Sequence, residues 1–310
     1  MKNHIDRLVF QSEIRMDKVS AIVTTYQREF AIVKRALDSI AAQTYEDMEI
    51  ILVDDNRDEN PFSEDLEKGT KGYSNCFYCR TEEGKHGAQA ARNTGIKMAT
   101  GRYLAFLDDD DVWYPEKIRL QIQALAENTH AGLCYCNGSF VQVNDEREKR
   151  RIYNENDFSV PVTYQRLLRG DCIGTTTQAV VRREVFESCG AFDETLEARQ
   201  DYEMWIRISR KYEIVGVDER LFDHFVYGNE QISRKWEKCV QGHTAIFRKY
   251  YDDIKSDPAA RFNYIFYMAH YFRTGGKSAK ALLWYSKAFF ISPVLFFKMG
   301  CIKISQIRGK

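Results

Sequence analysis

Apolar and polar positions along the chain alternate between two periods. Val19-Ser20-Ala21-Ile22-Val23-Thr24 is a nearly continuous β-branched and apolar run, which predicts a strand buried on both faces. Phe30, Val33, Leu37, Ile40 and Ala41 then recur at helical spacing. Glu49-Ile50-Ile51-Leu52-Val53 predicts a second buried strand ending on Asp54-Asp55, and Tyr73–Arg80, around Phe77, a third. Ala88, Ala91, Gly95, Ile96 and Ala99 mark a helix that Gly101 closes. Tyr103–Leu107 is a fourth strand, running into Asp108, Asp109, Asp110 and Asp111. Strands alternating with helices predict a parallel α/β sheet, and such sheets bind ligands beyond the carboxyl ends of their strands. Those ends carry Thr24-Thr25-Tyr26, Asp54-Asp55 and the four aspartates, so three polar clusters are expected on one edge.

Beyond Asp111 the pattern is more mixed. Gly132–Val143 is strand-like, Asp145–Arg151 is a charge run suited to a solvated loop or hairpin, and Thr175–Val181 predicts a strand with a polar start. Gly190-Ala191-Phe192-Asp193 predicts a turn. Met204, Trp205, Ile208 and Tyr212 predict one face of a helix with Gln200-Asp201 at its start. There Asp201 either caps the helix or serves as a general base. From 262 to 295, Ile265, Met268, Ala269, Phe272, Ala281, Tyr285, Ala288 and Pro293 fit one tetratricopeptide-like frame around Gly275-Gly276, and a generic helical hairpin fits equally. One such repeat cannot bury its own faces and must pack on the rest of the chain or on another subunit.

The candidate chemistry concentrates in the aspartates. Four adjacent carboxylates repel one another and raise each other's pKa, a tension that a hard divalent cation relieves while bridging to phosphate. The alternative is a solvated turn in which Asp110 or Asp111 caps a helix starting near Pro115. No G-x-G-x-x-G follows the first strand and there is no Walker A sequence, which speaks against a dinucleotide dehydrogenase and a P-loop ATPase. A carboxylate edge without a glycine cradle must hold phosphate through a metal.

Composition changes this picture little. In 310 residues, 44% hydrophobic and 29% charged, nothing near the amino end resembles a signal core and no stretch reaches spanning length, so a cytoplasmic or peripheral protein is expected. The eight cysteines suit free thiols. Cys76-x-x-Cys79 with Cys134-x-Cys136 imitates a zinc set, but Cys134 and Cys136 share one strand face and read as small core residues. The net charge of zero hides an asymmetry: Pro258–Lys310 holds no Asp or Glu and nine Lys or Arg, including Lys287, Lys298, Lys303, Arg308 and Lys310. With Phe289-Phe290-Ile291 and Val294-Leu295-Phe296-Phe297, this end suits an interfacial helix on an anionic membrane surface; a core-packed helix with solvated lysines is the alternative.

Four pieces, taken in order, resemble glycosyltransferase family 2, the inverting nucleotide-sugar transferases with the GT-A fold. They are Val19–Tyr26, Ile51–Asp55, Gly87-Ala88-Gln89-Ala90-Ala91-Arg92-Asn93-Thr94-Gly95 running on to Gly101–Trp113, and Gly190–Glu194 followed by Gln200–Trp205. The resemblance covers roughly residues 17–235. It implies a tail at 1–16, a GT-A unit at 17–238 (nucleotide and metal half 17–115, acceptor half 116–238) and a helical basic extension at 239–310. It implies a mixed sheet flanked by helices. Thr24, Tyr26, Arg28, Asp54, Asp55, Asn93, Asp108 and Asp109 would hold the nucleotide sugar, with Asp54 accepting from the base and Asp109 facing the ribose. Asp110 would ligate Mg2+ or Mn2+, and Asp201 would be the catalytic base. The implied partners are a nucleotide-sugar donor, with uridine as the favoured base, and a saccharide or lipid-linked acceptor of surface polysaccharide synthesis; no nucleic acid is expected. The family's histidine after the catalytic helix has no counterpart in register: alignment on Leu221 and Ser233 gives Tyr227, with His224 three residues away. A sugar-phosphate nucleotidyltransferase would need a glycine-rich loop where Thr24–Arg28 stands, and a non-catalytic scaffold would not need both Asp110 and Asp201.

Overall fold

The computed structural model describes residues 17–57, 60–144, 147–153, 157–227 and 236–299. The tail at 1–16 and the lysines and arginine beyond Met299 therefore lie outside the described residues, as do Asp145, Glu146 and Ser233. Among the described residues nine strands form one sheet. β1 (Val19–Thr25), β2 (Met48–Asp54), β3 (Cys76–Arg80) and β4 (Tyr103–Asp108) run parallel in the order β3-β2-β1-β4. The intervening helices are α1 (Phe30–Ala41), α2 (Pro61–Thr70) and α3 (Ala88–Met98). β1 and β2 are almost wholly buried, as continuous apolar strands under helices on both faces must be.

The sheet then changes character. After β5 (Val112–Trp113) and α4 (Lys117–Glu127), β6 (Ala131–Asn144) turns into β7 (Arg147–Tyr153), so the charge run forms an antiparallel hairpin. β8 (Val180–Arg182) runs antiparallel between β4 and β6. β9 (Glu213–Tyr227) pairs parallel with β6 through several register shifts and antiparallel with β5. The sheet is therefore mixed rather than purely parallel. Its parallel register sets Thr24 beside Asp108 and Thr25 beside Asp54, so the three polar clusters do meet on one edge.

Two local expectations are corrected. Thr175–Val181 is not one strand: Thr176–Gln178 is a 3-10 turn closed by a capping box between Thr175 and Gln178, and only then does β8 begin. Helix α4 starts at Lys117 with no side-chain cap, so neither Asp110 nor Asp111 caps it. Cys134 and Cys136 are fully buried free thiols, as their shared strand face required.

The layer after β7 is built from α5 (Tyr164–Arg169), α6 (Arg183–Cys189) and α7 (Gln200–Ile208). Met204, Trp205 and Ile208 of α7 are fully buried, whereas Tyr212 lies beyond the helix. Burying an indole of this kind contributes on the order of 2–3 kcal/mol, and Trp205 Nε1 also donates to Gly174 O at 3.0 Å. The same core continues into α8 (Trp236–Lys249), α9 (Tyr251–Ser256) and α10 (Pro258–Thr274), through Cys239, Ile246, Ile254, Tyr264 and Met268. The expected boundary at 238 thus falls inside α8. α11 (Ser278–Ile291) packs on α10 across Gly275-Gly276, and the hairpin rests on the body of the protein as a lone repeat must.

Candidate active site

The edge begins where β1 ends. Thr24 is half-buried and Tyr26 is 54% exposed. Gln27 takes a left-handed φ of 51°, and its amide donates to Asn56 Oδ1 at 2.8 Å. This kink brings Arg28 back over the aspartates. Its Nη2 lies 2.9 Å from Asp110 Oδ2 and its Nε 3.4 Å from Asp109 Oδ1. Thr25 Oγ1 donates to Asp109 Oδ2 at 2.7 Å, and Arg35 Nη2 donates to the Asp110 carbonyl at 2.7 Å. Burial pushes the Asp109 carboxyl up to about 6 against the pull of Arg28 and Thr25. Burial, then repulsion from Asp111, Asp109 and Asp108, pushes Asp110 up to about 7.

The next two members of the edge exchange roles. The carboxylate of buried Asp54 is already occupied, accepting from Ser63 Oγ at 2.6 Å, Tyr78 OH at 2.7 Å and the Asn56 amide at 2.8 Å. It organises β2, β3 and α2 and has little capacity for a nucleobase. Asp55 differs: Oδ2 accepts from the Gly87 amide at 2.7 Å, while its buried Oδ1 has no hydrogen-bond partner. Gly87 sits at φ 96°, where a side chain would be strained, and begins α3. Asn93 is likewise engaged, though within the fold. Its Oδ1 accepts from the Phe192 amide at 2.9 Å, and its Nδ2 donates to Phe192 O and Glu194 Oε1, each at 2.9 Å. It clamps the 190–194 turn to α3.

Asp111 is the fully buried keystone of the cluster. It accepts from Thr177 Oγ1 at 2.7 Å, the Phe225 amide at 3.1 Å and His224 Nδ1 at 2.9 Å. Burial pulls the His224 imidazole down, but Asp111 first and then Asp108 and Asp110 outweigh it and bring the ring to about 9. The histidine without a place in the sequence register is therefore in the site, because β9 pairs with β5 immediately after the aspartates. The Tyr227 side chain lies outside what is described.

Asp201 stands in the first turn of α7, half-buried, with Oδ1 accepting from the Tyr202 amide at 2.7 Å. Its pKa is raised, by burial first; the Tyr202 amide, Arg92 and Arg199 lower it and Asp108 raises it. Arg92 links the two sides: it binds Asp108 Oδ1 at 2.7 Å and is one of the cations acting on Asp201. Arg92, Thr177 and the loop residue Asp171 are participants that motif reading left unassigned. Arg92 lies inside a quoted motif, and its helical position beside Asn93 could have flagged it.

Whether the residues suit a divalent ion is decided by their donors. Asp108 and Asp110 offer carboxylate oxygens, those of Asp110 crowded by like charge, which is the donor type that a hard cation takes. Among the described residues no three His, Cys, Asp or Glu side chains converge as a complete set. The fit is thus to an ion that takes its remaining ligands from a substrate diphosphate.

A curled mixed sheet with helices on both faces, a carboxylate edge at the ends of its parallel strands and a helical carboxylate across from it define a GT-A fold. The solved structures agree. The chain matches Staphylococcus aureus TarS 1-349 in complex with UDP-GlcNAc with a TM-score of 0.58 and 16% identity, over 83% of this chain and 81% of that one. It matches the mannosyltransferase PcManGT from Pyrobaculum calidifontis, in complex with GDP-Man and Mn2+, with a TM-score of 0.61 and 17% identity, over 94% and 81%. The Glycosyl transferase family 2 model matches residues 20–190, and the chain belongs to that family. An uncharacterized glycosyltransferase of Rickettsia felis is 31% identical over 231 residues, 71% of this chain but only 36% of that protein, so the chain spans about a third of it. The Escherichia coli UDP-Glc:alpha-D-GlcNAc-diphosphoundecaprenol beta-1,3-glucosyltransferase WfgD is 29% identical over 274 residues, 84% of this chain and 94% of WfgD.

Proposed function

We propose that the protein is an inverting, metal-dependent glycosyltransferase that moves a sugar from a nucleotide-sugar donor, a UDP-sugar in the first instance, to a saccharide or lipid-linked acceptor of surface polysaccharide synthesis. The observation that carries this reading is the opposition of Asp201, with its raised pKa, to the aspartate edge, with Arg92 between them. Asp55, whose Oδ1 is buried and unpaired, is the acceptor for a base N–H, in place of Asp54. Thr24 and Tyr26 flank the nucleoside, and Asp109 faces the ribose. Asp110, with Asp108, would hold Mg2+ or Mn2+ on the diphosphate. When bound, such an ion supplies charge stabilisation to the leaving group. The acceptor hydroxyl oxygen bonds to the anomeric carbon as the bond to the diphosphate breaks, and its proton passes to Asp201. Attack opposite the leaving group inverts the centre. Arg28 and His224 add positive charge to the diphosphate side.

Support for the nucleotide class comes from the complexes of the structural relatives, TarS with UDP-GlcNAc and PcManGT with GDP-Man and Mn2+. The decisive measurement is thermal unfolding with UDP, GDP and their sugars, with and without Mn2+, on the wild type and Asp201→Asn. A metal-dependent rise in both proteins, with donor turnover lost only in the variant, is the expected result. Near-normal turnover by Asp201→Asn would remove it as the base, and no nucleotide response would remove the donor site.

The reading extends to a peripheral position on the inner face of an anionic membrane. Among the described residues no helix is long and apolar enough to cross a membrane. The C-terminal hairpin, however, leaves Leu282, Phe290, Val294 and Phe297 exposed (72%, 83%, 78% and 64%) beside exposed Lys280, Lys287 and Lys298. Co-sedimentation with phosphatidylglycerol vesicles is expected, weakened by salt and by Phe290→Glu; sedimentation equal to that with neutral vesicles would refute the membrane face.

A further inference from the structure

The loop after α5 carries a second carboxylate, Asp171, near enough to Asp201 for the two to repel. One oxygen of Asp171 accepts from the amides of Ile173 at 3.1 Å and Gly174 at 3.0 Å. Its other oxygen has no hydrogen-bond partner among the described residues. The loop and the helix before it are both fastened to α7: Trp205 Nε1 donates to Gly174 O of the loop at 3.0 Å, and Tyr202 OH donates to Leu167 O of α5. Tyr202 is the neighbour of Asp201, so both carboxylates are held by the same pair of elements. Asp171 is exposed to water yet hemmed in by protein. Burial first, then repulsion from Asp201, pushes its carboxyl up to about 7.

The opposite wall comes from α10. Asn263 Nδ2 donates to Arg169 O at 2.6 Å and Arg169 Nε binds Asp257 Oδ2 at 2.8 Å, which fixes α10 against α5. Arg199, held at a left-handed φ of 62° just before α7, extends to Tyr271 and donates to its hydroxyl, with its guanidinium 5.3 Å from that ring. Its buried Nε has no hydrogen-bond partner among the described residues. Tyr267 lies one turn before Tyr271 on the same helix face, half-buried, and its phenol senses both Arg199 and Asp171. A carboxylate, a guanidinium and tyrosine faces near enough to act on one another's charge are the chemistry that grips a sugar. The carboxylate accepts from hydroxyls, the guanidinium donates to ring or hydroxyl oxygens, and the aromatic face covers C–H groups.

We propose that Asp171, Arg199 and Tyr267 form the acceptor-sugar subsite, in which the outward oxygen of Asp171 holds one hydroxyl of a saccharide while another faces Asp201. The inference rests on Asp201 being the base, and it assigns the C-terminal helices a part in acceptor selection. An Asp171 that merely closed its turn would need one acceptor oxygen, which an asparagine supplies equally well. Asp171→Asn therefore keeps the turn and replaces only the outward acceptor by a donor.

The test is saturation-transfer NMR on the full chain with UDP and diamagnetic Mg2+, using the methyl glycosides of glucose, galactose, mannose and N-acetylglucosamine as probes. Transfer to at least one glycoside is expected in the wild type and in Asp201→Asn, falling at least tenfold in Asp171→Asn and in Tyr267→Ala. No transfer to any glycoside in the wild type, or an unchanged signal in Asp171→Asn, overturns the subsite. A rise in melting temperature on adding UDP and Mg2+ that is as large in Asp171→Asn as in the wild type keeps a lost signal from being read as misfolding. Failure of the base reading is separate, since it appears as turnover by Asp201→Asn whatever the glycosides do.

Discussion

The two acidic edges of the cleft are neutralised in opposite ways. On the donor side every aspartate of the 108–111 run meets a positive group or a fixed donor: Asp108 meets Arg92, Asp109 meets Thr25 and Arg28, Asp110 meets Arg28, and Asp111 meets His224 and Thr177. On the acceptor side Asp171 and Asp201 are held by backbone amides, Asp201 repels Asp171, and no ion pair within 4.0 Å involves either of them among the described residues. The contrast follows the chemistry each edge would perform. Carboxyl groups are pushed up on both edges, Asp109 and Asp110 as well as Asp171 and Asp201, but a donor edge must be preorganised to carry a cation and a diphosphate, and its ion pairs fix it for that. An acceptor edge must take up a proton, and carboxylates with raised pKa values are better bases near neutral pH.

The largest test of this contrast strikes the donor edge. Asp111→Ala would leave a buried imidazolium without its carboxylate and two donors, Thr177 Oγ1 and the Phe225 amide, without their acceptor. Breaking a buried pair from one side costs on the order of 3–5 kcal/mol. Asp111→Asn keeps an acceptor oxygen and should lose roughly half of that. Urea midpoints measure both. A loss below about 1 kcal/mol in Asp111→Ala would mean that the aspartate run is an ordinary solvated turn, and the comparison between the edges would fail.

How much of this was legible beforehand depends on which force sets each feature. β1, β2 and β4 could be read because buried parallel strands are continuous apolar runs, and their polar ends then had to meet. Thr175–Val181 was misread because β-branched threonines favour strands, whereas here the hydroxyl and amide side chains of Thr175 and Gln178 close a 3-10 turn and Thr177 is claimed by Asp111. Asp54 and Asn93 have the right types for ligand contact, but their polar atoms are satisfied within the fold, and satisfaction is a tertiary property that no motif displays. His224 was out of register in the sequence because β9 shifts its pairing with β6 before it reaches the site. Asp171 belongs to no motif, and only the contacts joining its loop to α7 bring it to Asp201.

The smaller test strikes the acceptor edge, and its sign is opposite. The Asp171 carboxyl has a folded pKa of about 7, well above its value in an unfolded chain. A raised carboxyl binds its proton more tightly in the native state. It therefore costs nothing below the unfolded pKa and progressively destabilises the fold as pH rises towards and past 7. Because water reaches the group, the full electrostatic cost is screened, and about 1 kcal/mol is a fair expectation at pH 8. Asp171→Asn cannot ionise and removes that cost. Its melting temperature should match the wild type at pH 4 and exceed it by about 2–3 °C at pH 8, measured with EDTA present. A gain of the same size at both pH values would trace to packing rather than charge. No gain at pH 8 would mean that the Asp171 charge is neutralised in the fold, and the acceptor edge would lose the feature that separates it from the donor edge.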